Sequence, residues 1–184
     1  MARLSSLSCK TKTGIEVVLR SPKVGEGAAV LDSMRRVMET SPHVLTAPEE
    51  FKYTAEEEDE IIGRYLDDPT GIMIVPYIDE KPIGMLNFQT GKKKRNAHRG
   101  ELGMSLLPQW RGNGIGVHML KTLIDWAKIR SGIEKIELRV HARNASAIAL
   151  YQKLGFVIEG KEVKGVKFSE GCYDDVFQMA LFVK

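Results

Sequence analysis

The residues best suited to chemistry lie in Gln109-Trp110-Arg111-Gly112-Asn113-Gly114-Ile115-Gly116. Three glycines at alternate positions strip side chains from a turn, so backbone amides there can approach a ligand closely. The turn follows an apolar run, 102–107, and opens a long amphipathic segment, 117–130. That places it at a helix N-terminus, where orphan N–H donors and the helix dipole favour an anion. Arg111 adds a fixed positive charge suited to bidentate contacts. The stretch therefore reads as a cradle for phosphate.

Two familiar phosphate cradles do not fit. A mononucleotide P-loop needs a Lys-Ser/Thr pair after its second glycine, and here Val117-His118 follows Gly116. A dinucleotide fingerprint needs Gly-x-Gly-x-x-Gly in a first βα turn. Here the glycines alternate and lie past the middle of the chain.

What does fit is Arg111-x-x-Gly114-x-Gly116, together with a second pattern downstream. Residues 133–156 read as a strand, then Asn144-x-x-Ala147-x-x-x-Tyr151, then Gly155-Phe156. Asn144 and Tyr151 are seven residues apart, two helical turns, so both project from nearly one face. An N-cap asparagine and a core tyrosine would look the same, and both readings are compatible with a role in chemistry. The two patterns in this order resemble the GNAT superfamily of acyl-CoA N-acyltransferases, in motif over 100–157 and in layout over about 14–184.

The elements that must position these residues can be read from periodicity. Gly14 to Arg20 reads as an opening strand, and Val30, Leu31, Met34, Val37 and Met38 mark a helix over 26–40. Thr54 with Glu57 makes a capping box before an acidic helix, 55–66. Gly71 to Tyr77, Ile83 to Thr90 and Arg99 to Leu107 read as strands, with a turn at 79–82. After the cradle, Gly116, Met119, Leu120, Leu123, Ile124 and Ala127 form one apolar stripe, which anchors the helix whose amides make the cradle. Trp126 beside it reads as packing. A strand at 135–140, a helix at 144–154 closed by Gly155, and two tail strands at 156–167 and 173–183 complete the order. The resemblance implies an α/β (α+β) fold: a mixed, mostly antiparallel sheet of six to seven strands flanked by about four helices, as a single domain over 1–184.

Composition excludes several function classes. Hydrophobic content of 43% and charged content of 28% are ordinary for a water-soluble domain. No apolar run approaches membrane-spanning length, and the N-terminus, Met-Ala-Arg-Leu-Ser-Ser-Leu-Ser, lacks a signal core. Cys9 and Cys172 form no framework, which makes a reducing cytoplasm the expected compartment. The histidines, at 43, 98, 118 and 141, have no metal-ligand spacing, so no metal is expected. A net charge of +3 does not argue for nucleic acid. The basic run 92–95 lacks interleaved aromatics and reads as a solvated hairpin tip. The acidic run 56–60 complements a helix dipole, and as a sharper reading it gathers cationic amines. A homodimer is the commonest oligomer.

The resemblance implies the chemistry. Acetyl-CoA is the co-substrate and a primary amine of a small molecule the acceptor, attacked directly in a ternary complex with no acyl-enzyme. An alkylammonium of pKa about 10.4 is roughly one part in a thousand neutral at pH 7, a cost of roughly 4 kcal/mol. The enzyme must therefore supply a proton acceptor, an oxyanion cradle and a donor for the departing thiolate. By matching positions, the backbone of Met104, Ser105, Leu106 and Leu107 pairs with the pantetheine arm. Arg111, Gly112, Asn113, Gly114, Ile115, Gly116 and Val117 hold the pyrophosphate. Asn144 contacts the cofactor beside the thioester, Tyr151 is the general acid and Glu101 the candidate base. Some members that acetylate protein N-termini carry a glutamate where this chain has Arg139, while Glu137 and His141 share that strand face by alternation. The tail over 171–181 resembles small-amine members. Amino-acid-like amines rank slightly above polyamines because Arg139 suits a substrate carboxylate. Protein N-terminal or lysine acetylation, and a non-catalytic acyl-CoA sensor, are the alternatives.

Overall fold

The computed structural model describes residues 3–184, so Met1 and Ala2, the start of the stretch read above as lacking a signal core, lie outside the described residues. The chain forms two compact units. The first runs to Gln89 and then covers Gly103–Leu123, and the second comprises Thr90–Leu102 and Ile124–Lys184.

In the first unit, β1 (Leu7–Lys10), β2 (Glu16–Arg20), β3 (Gly71–Ile78) and β5 (Gly84–Thr90, as far as Gln89) follow one another, and the end of β6 (Arg99–Leu106) lies next to β5. A two-residue strand β4 (Lys81–Pro82) pairs with β3. The ladders from β1 to β5 are antiparallel. All eight residues of β3 are buried, as a continuous apolar run at a sheet centre requires. Helix α1 (Gly27–Thr40) and helix α2 (Ala55–Asp67) cover one side of it. Val30 of α1 and Ile62 and Leu66 of α2 pack on Met73, Val75 and Tyr77. Helix α3 (Ile115–Lys128) starts in this unit, with Ile115, Met119, Leu120 and Leu123 at 0–1% exposure.

The sequence reading anticipates the helices to within two residues at each end but misses β1 and β4. Strand β1 is four residues long and exposed along most of its length, so it carries no apolar signature. Strand β4 is set by the turn at Asp79 and Glu80, both at positive φ, 48° and 58°, a geometry that follows from the hairpin's twist.

The acidic start of α2 is largely absorbed by structure. Thr54 and Glu57 form the reciprocal capping box. Asp59 reaches across to α1, which has no side-chain cap of its own, and its Oδ1 accepts from the amides of Gly25 and Gly27 at 2.8 and 2.9 Å. A Cβ on Gly27 would lie 2.5 Å from the Ala55 carbonyl, so only glycine permits this approach.

A second cluster fixes the entry to α1. Arg20 makes a two-pronged bond to Glu26, each N–O distance 2.8 Å, and lies 3.8 Å over the Tyr77 ring, whose hydroxyl also donates to Glu26. The Arg20 hydrogen bond outweighs burial and holds the Glu26 carboxyl at about 2. A depressed carboxylate pKa contributes stability above the unfolded value, and that contribution is lost as pH falls through the folded value. Glu26 is one-quarter exposed, so screening leaves a contribution on the order of 2 kcal/mol. Glu26→Gln is therefore expected to lower the melting temperature at pH 7, with the gap to wild type closing between about pH 4.5 and 2. A gap that stays constant in thermal melts over that range would refute this account.

In the second unit the start of β6 pairs in parallel with β7 (Lys135–His141), and β7, β9 (Cys172–Phe182) and β8 (Val157–Ser169) follow as antiparallel neighbours. Helix α4 (Ala145–Lys153) connects β7 to β8. Gly155, at φ 92°, ends α4 as expected, and the Phe156 amide returns to the Tyr151 carbonyl at 3.1 Å. Together these are the mixed sheet and four flanking helices expected of the fold. No helix among the described residues is long and apolar enough to cross a membrane.

Candidate active site

In the first unit the cradle is built by an abrupt exit from β6. A short turn, 108–110, leads to Arg111, whose Nε donates to the Leu106 carbonyl at 2.9 Å. Burial pushes the guanidinium pKa down from its usual value, yet Arg111 stays charged at any physiological pH. Gly112 and Gly114 adopt φ of 74° and 89°, the left-handed region, and a Cβ on either would meet nothing within 4 Å. The space beside both backbones is therefore open, as a phosphate cradle requires. The Gly114 carbonyl accepts from the amides of Val117 and His118 at 3.0 and 3.3 Å. Val117 is thus turned into the helix, which narrows the expected donor set to residues 112–116.

The N-terminal hairpin also supports the cradle. The Lys12 amide donates to the Asn113 carbonyl at 3.2 Å, and Asn113 Nδ2 to the Arg111 carbonyl at 3.2 Å. Nothing in the sequence pattern links residue 12 to residue 113, because the contact depends on an unforeseen strand.

Upstream, Met104, Ser105 and Leu106 are half-buried and Leu107 is buried. The Leu107 amide is engaged by the Ile83 carbonyl at 3.0 Å. Ser105 Oγ sits 3.5 Å from Met34 Sδ of α1. Gly84 makes this end of β6 possible, since a Cβ there would lie 2.3 Å from the Ser105 carbonyl.

In the second unit, Glu101 is the last rung of the β6–β7 ladder, opposite Glu137. It lines a shallow depression of about 180 Å³ with Arg99, Glu137, Arg139, Glu159 and Gln178. Its neighbours on β7 are already committed. Glu137 accepts from Arg99, and Lys135 lies 2.9 Å from it. Burial raises the Glu137 pKa, but the hydrogen bonds from Lys135 and Arg99 outweigh it and the net shift is downward. Arg139 donates to Glu162. His141 is 7% exposed, and its Nδ1 lies 3.3 Å from Asp174 Oδ2. Neither Glu137 nor His141 is therefore placed as an open base, and Arg139 has its charge answered within the protein.

Asn144 caps α4: its Oδ1 accepts from the Ala147 amide at 3.2 Å and from the Ser146 hydroxyl at 3.1 Å. Tyr151 is 6% exposed, and its ring is tilted 57° to that of Phe156 with the centroids 5.7 Å apart. Burial pushes its phenol up to about 12, so at neutral pH it is a proton donor only. Its hydroxyl makes no hydrogen bond among the described residues.

Residues 32–156 match the family model described as "Acetyltransferase (GNAT) family". The chain belongs to the GNAT acetyltransferase family. As such it is an acetyl-CoA-dependent N-acetyltransferase. It is similar to the L-amino acid N-acetyltransferase AaaT of Escherichia coli, 30% identical over 119 residues, covering 64% of this chain and 72% of that one. Among solved structures it is similar to an acetyltransferase of the GNAT family from Streptococcus pneumoniae, with a TM-score of 0.87 at 25% identity over 91% of this chain and 99% of that one. The acetyltransferase yncA from Salmonella typhimurium, solved with its cofactor acetyl-CoA, has a TM-score of 0.79 at 19% identity, over 91% of this chain and 94% of that one. This GNAT acetyltransferase builds its glycine turn at the start of a long helix.

Proposed function

We propose that this GNAT acetyltransferase moves the acetyl group of acetyl-CoA onto the primary amine of a small molecule, by direct attack, and that both units serve this reaction as one catalytic domain. The observation that carries the reading is the pair of left-handed glycines, Gly112 and Gly114, with open space where a Cβ would stand, at the start of α3. There the amides of residues 112–116, with Arg111, hold the pyrophosphate. The backbone of residues 104–107 follows the pantetheine arm, and Asn144 lies beside the thioester. The thioester supplies an activated carbonyl and a good leaving group. The neutral amine attacks that carbonyl, the tetrahedral oxyanion collapses, the C–S bond breaks and the thiolate takes its proton from Tyr151. Glu101 is the base proposed to take the amine's proton, because its neighbours Glu137 and His141 are engaged.

Amino-acid-like amines remain the first acceptor class to test, supported by the similarity to an L-amino acid N-acetyltransferase. Arg139 is less open to a substrate carboxylate than its place on β7 suggests, since Glu162 already answers its charge. Residence in the cytoplasm and action without nucleic acid or membrane belong to the same proposal. The test is a screen of amino acids, polyamines, peptides and histone-like lysine peptides with acetyl-CoA, reading free thiol. With the preferred amine, kcat/KM is expected to rise between about pH 6 and 9 as the amine or its base deprotonates. A flat profile, or turnover confined to folded protein substrates, would remove the small-amine reading.

A further inference from the structure

The first unit holds one acidic side chain that its helix does not explain. On α2 the buried positions are Glu58, Ile62 and Leu66, four residues apart, one stripe facing the sheet. Ile62 and Leu66 join the apolar cluster under β3. Glu58 occupies the same stripe at 5% exposure, and its Oε1 makes no hydrogen bond among the described residues. Its flanking acids have assignments, Glu57 in the capping box and Asp59 on the start of α1. A buried carboxyl with no partner costs several kcal/mol unless it is protonated or meets a cation.

Two further polar side chains, Tyr65 of α2 and Asn87 of β5, stand between α2 and β6. Tyr65 follows Glu58 by two helical turns, so the two lie on nearly one face, about 10 Å apart along the axis. Burial pushes the Tyr65 phenol pKa up, and the charges of Asp68 and, more weakly, Glu58 push it the same way. The Tyr65 hydroxyl accepts from Asn87 Nδ2 at 3.2 Å. Asn87 Oδ1 in turn lies 2.7 Å from where a Cβ on Gly103 would stand, one residue before the backbone assigned to the pantetheine arm.

We propose that Glu58 is the counter-charge that receives the acceptor's ammonium, with Tyr65 and Asn87 as the polar wall along which the amine moves toward β6. This rests on the N-acetyltransferase reading for its direction, because 104–107 are taken as the thioester's edge. The substrate class it names is an amine that arrives protonated. Burial and the neighbouring Asp59 push the Glu58 pKa up, so cation binding at this carboxyl is linked to release of its proton.

The test uses n-butylammonium chloride as the probe, titrated by calorimetry into the full chain with CoA present, at matched ionic strength. Wild type is expected to bind it, and Glu58→Gln to bind at least tenfold more weakly while affinity for CoA is unchanged. Because the substitution removes a buried carboxylate charge with one oxygen unpartnered, Glu58→Gln is expected to melt at or above the wild-type temperature; Glu58→Asp is a second variant that keeps the charge and recovers part of the binding. No binding to wild type, or equal affinity in wild type and folded Glu58→Gln, overturns the proposal. Failure of the N-acetyltransferase reading would appear separately, as butylammonium binding with no thiol release from acetyl-CoA and any amine.

Discussion

Tyr151→Phe is expected to lower kcat by about 10²-fold or more while leaving CoA affinity within a few-fold. The substitution removes one hydroxyl and keeps the ring that packs on Phe156 at 5.7 Å. That hydroxyl makes no hydrogen bond among the described residues, so little folding stability goes with it. The catalytic loss follows from where the proton must go. A phenol at about 12 is a weak acid against a free thiol of pKa about 8.5. Burial, however, destabilises any anion placed beside the ring, so a thiolate developing there becomes more basic as well. The two shifts run in the same direction and keep the transfer feasible. Single-turnover rates with saturating acetyl-CoA and the best amine from the screen provide the measurement. An unchanged kcat in the phenylalanine variant would mean that water or another group protonates the thiolate.

Gly114→Val is expected to weaken CoA binding at least tenfold, about 1.4 kcal/mol. Two effects combine. A β-branched residue at φ 89° is strained in the left-handed region. Its side chain would also project into the open space beside the turn, which is the approach proposed for the phosphate. Because nothing lies within 4 Å of that Cβ, the variant has room to fold, and thermal melts provide the control. Calorimetry with CoA is the readout. Undiminished affinity in a folded variant would take the pyrophosphate away from residues 112–116.

Much of this was legible in the sequence because the relevant signals are local. Alternate glycines after an apolar run, then an apolar stripe at helical spacing, specify a turn and an anchored helix without reference to any distant residue. The capping box at Thr54 and Glu57 and the glycine stop at Gly155 are likewise local, and both are present in the structure. Asn144 shows the limit of such reading: the helix-cap role and the proposed cofactor contact fall on one side chain, and the cap is what its Oδ1 makes in this structure.

What only the tertiary structure decided is which charges are already answered. In sequence, Glu56 to Glu60 is a uniform acidic run. In the fold Glu57 and Asp59 are consumed by helix starts, and Glu58 is buried on the apolar stripe with an oxygen unpartnered. Arg139, Glu137 and His141 share a strand face by alternation, but their partners, Glu162, Arg99 and Asp174, come from other strands of the chain. Cross-strand register, not local pattern, determines those pairings. The sequence by itself therefore determined the family, the glycine turn before α3 and the helix that carries Asn144 and Tyr151. Tertiary packing decided which carboxylates and cations remain open to a substrate, because the electrostatics of a group depend on neighbours that lie far away along the chain.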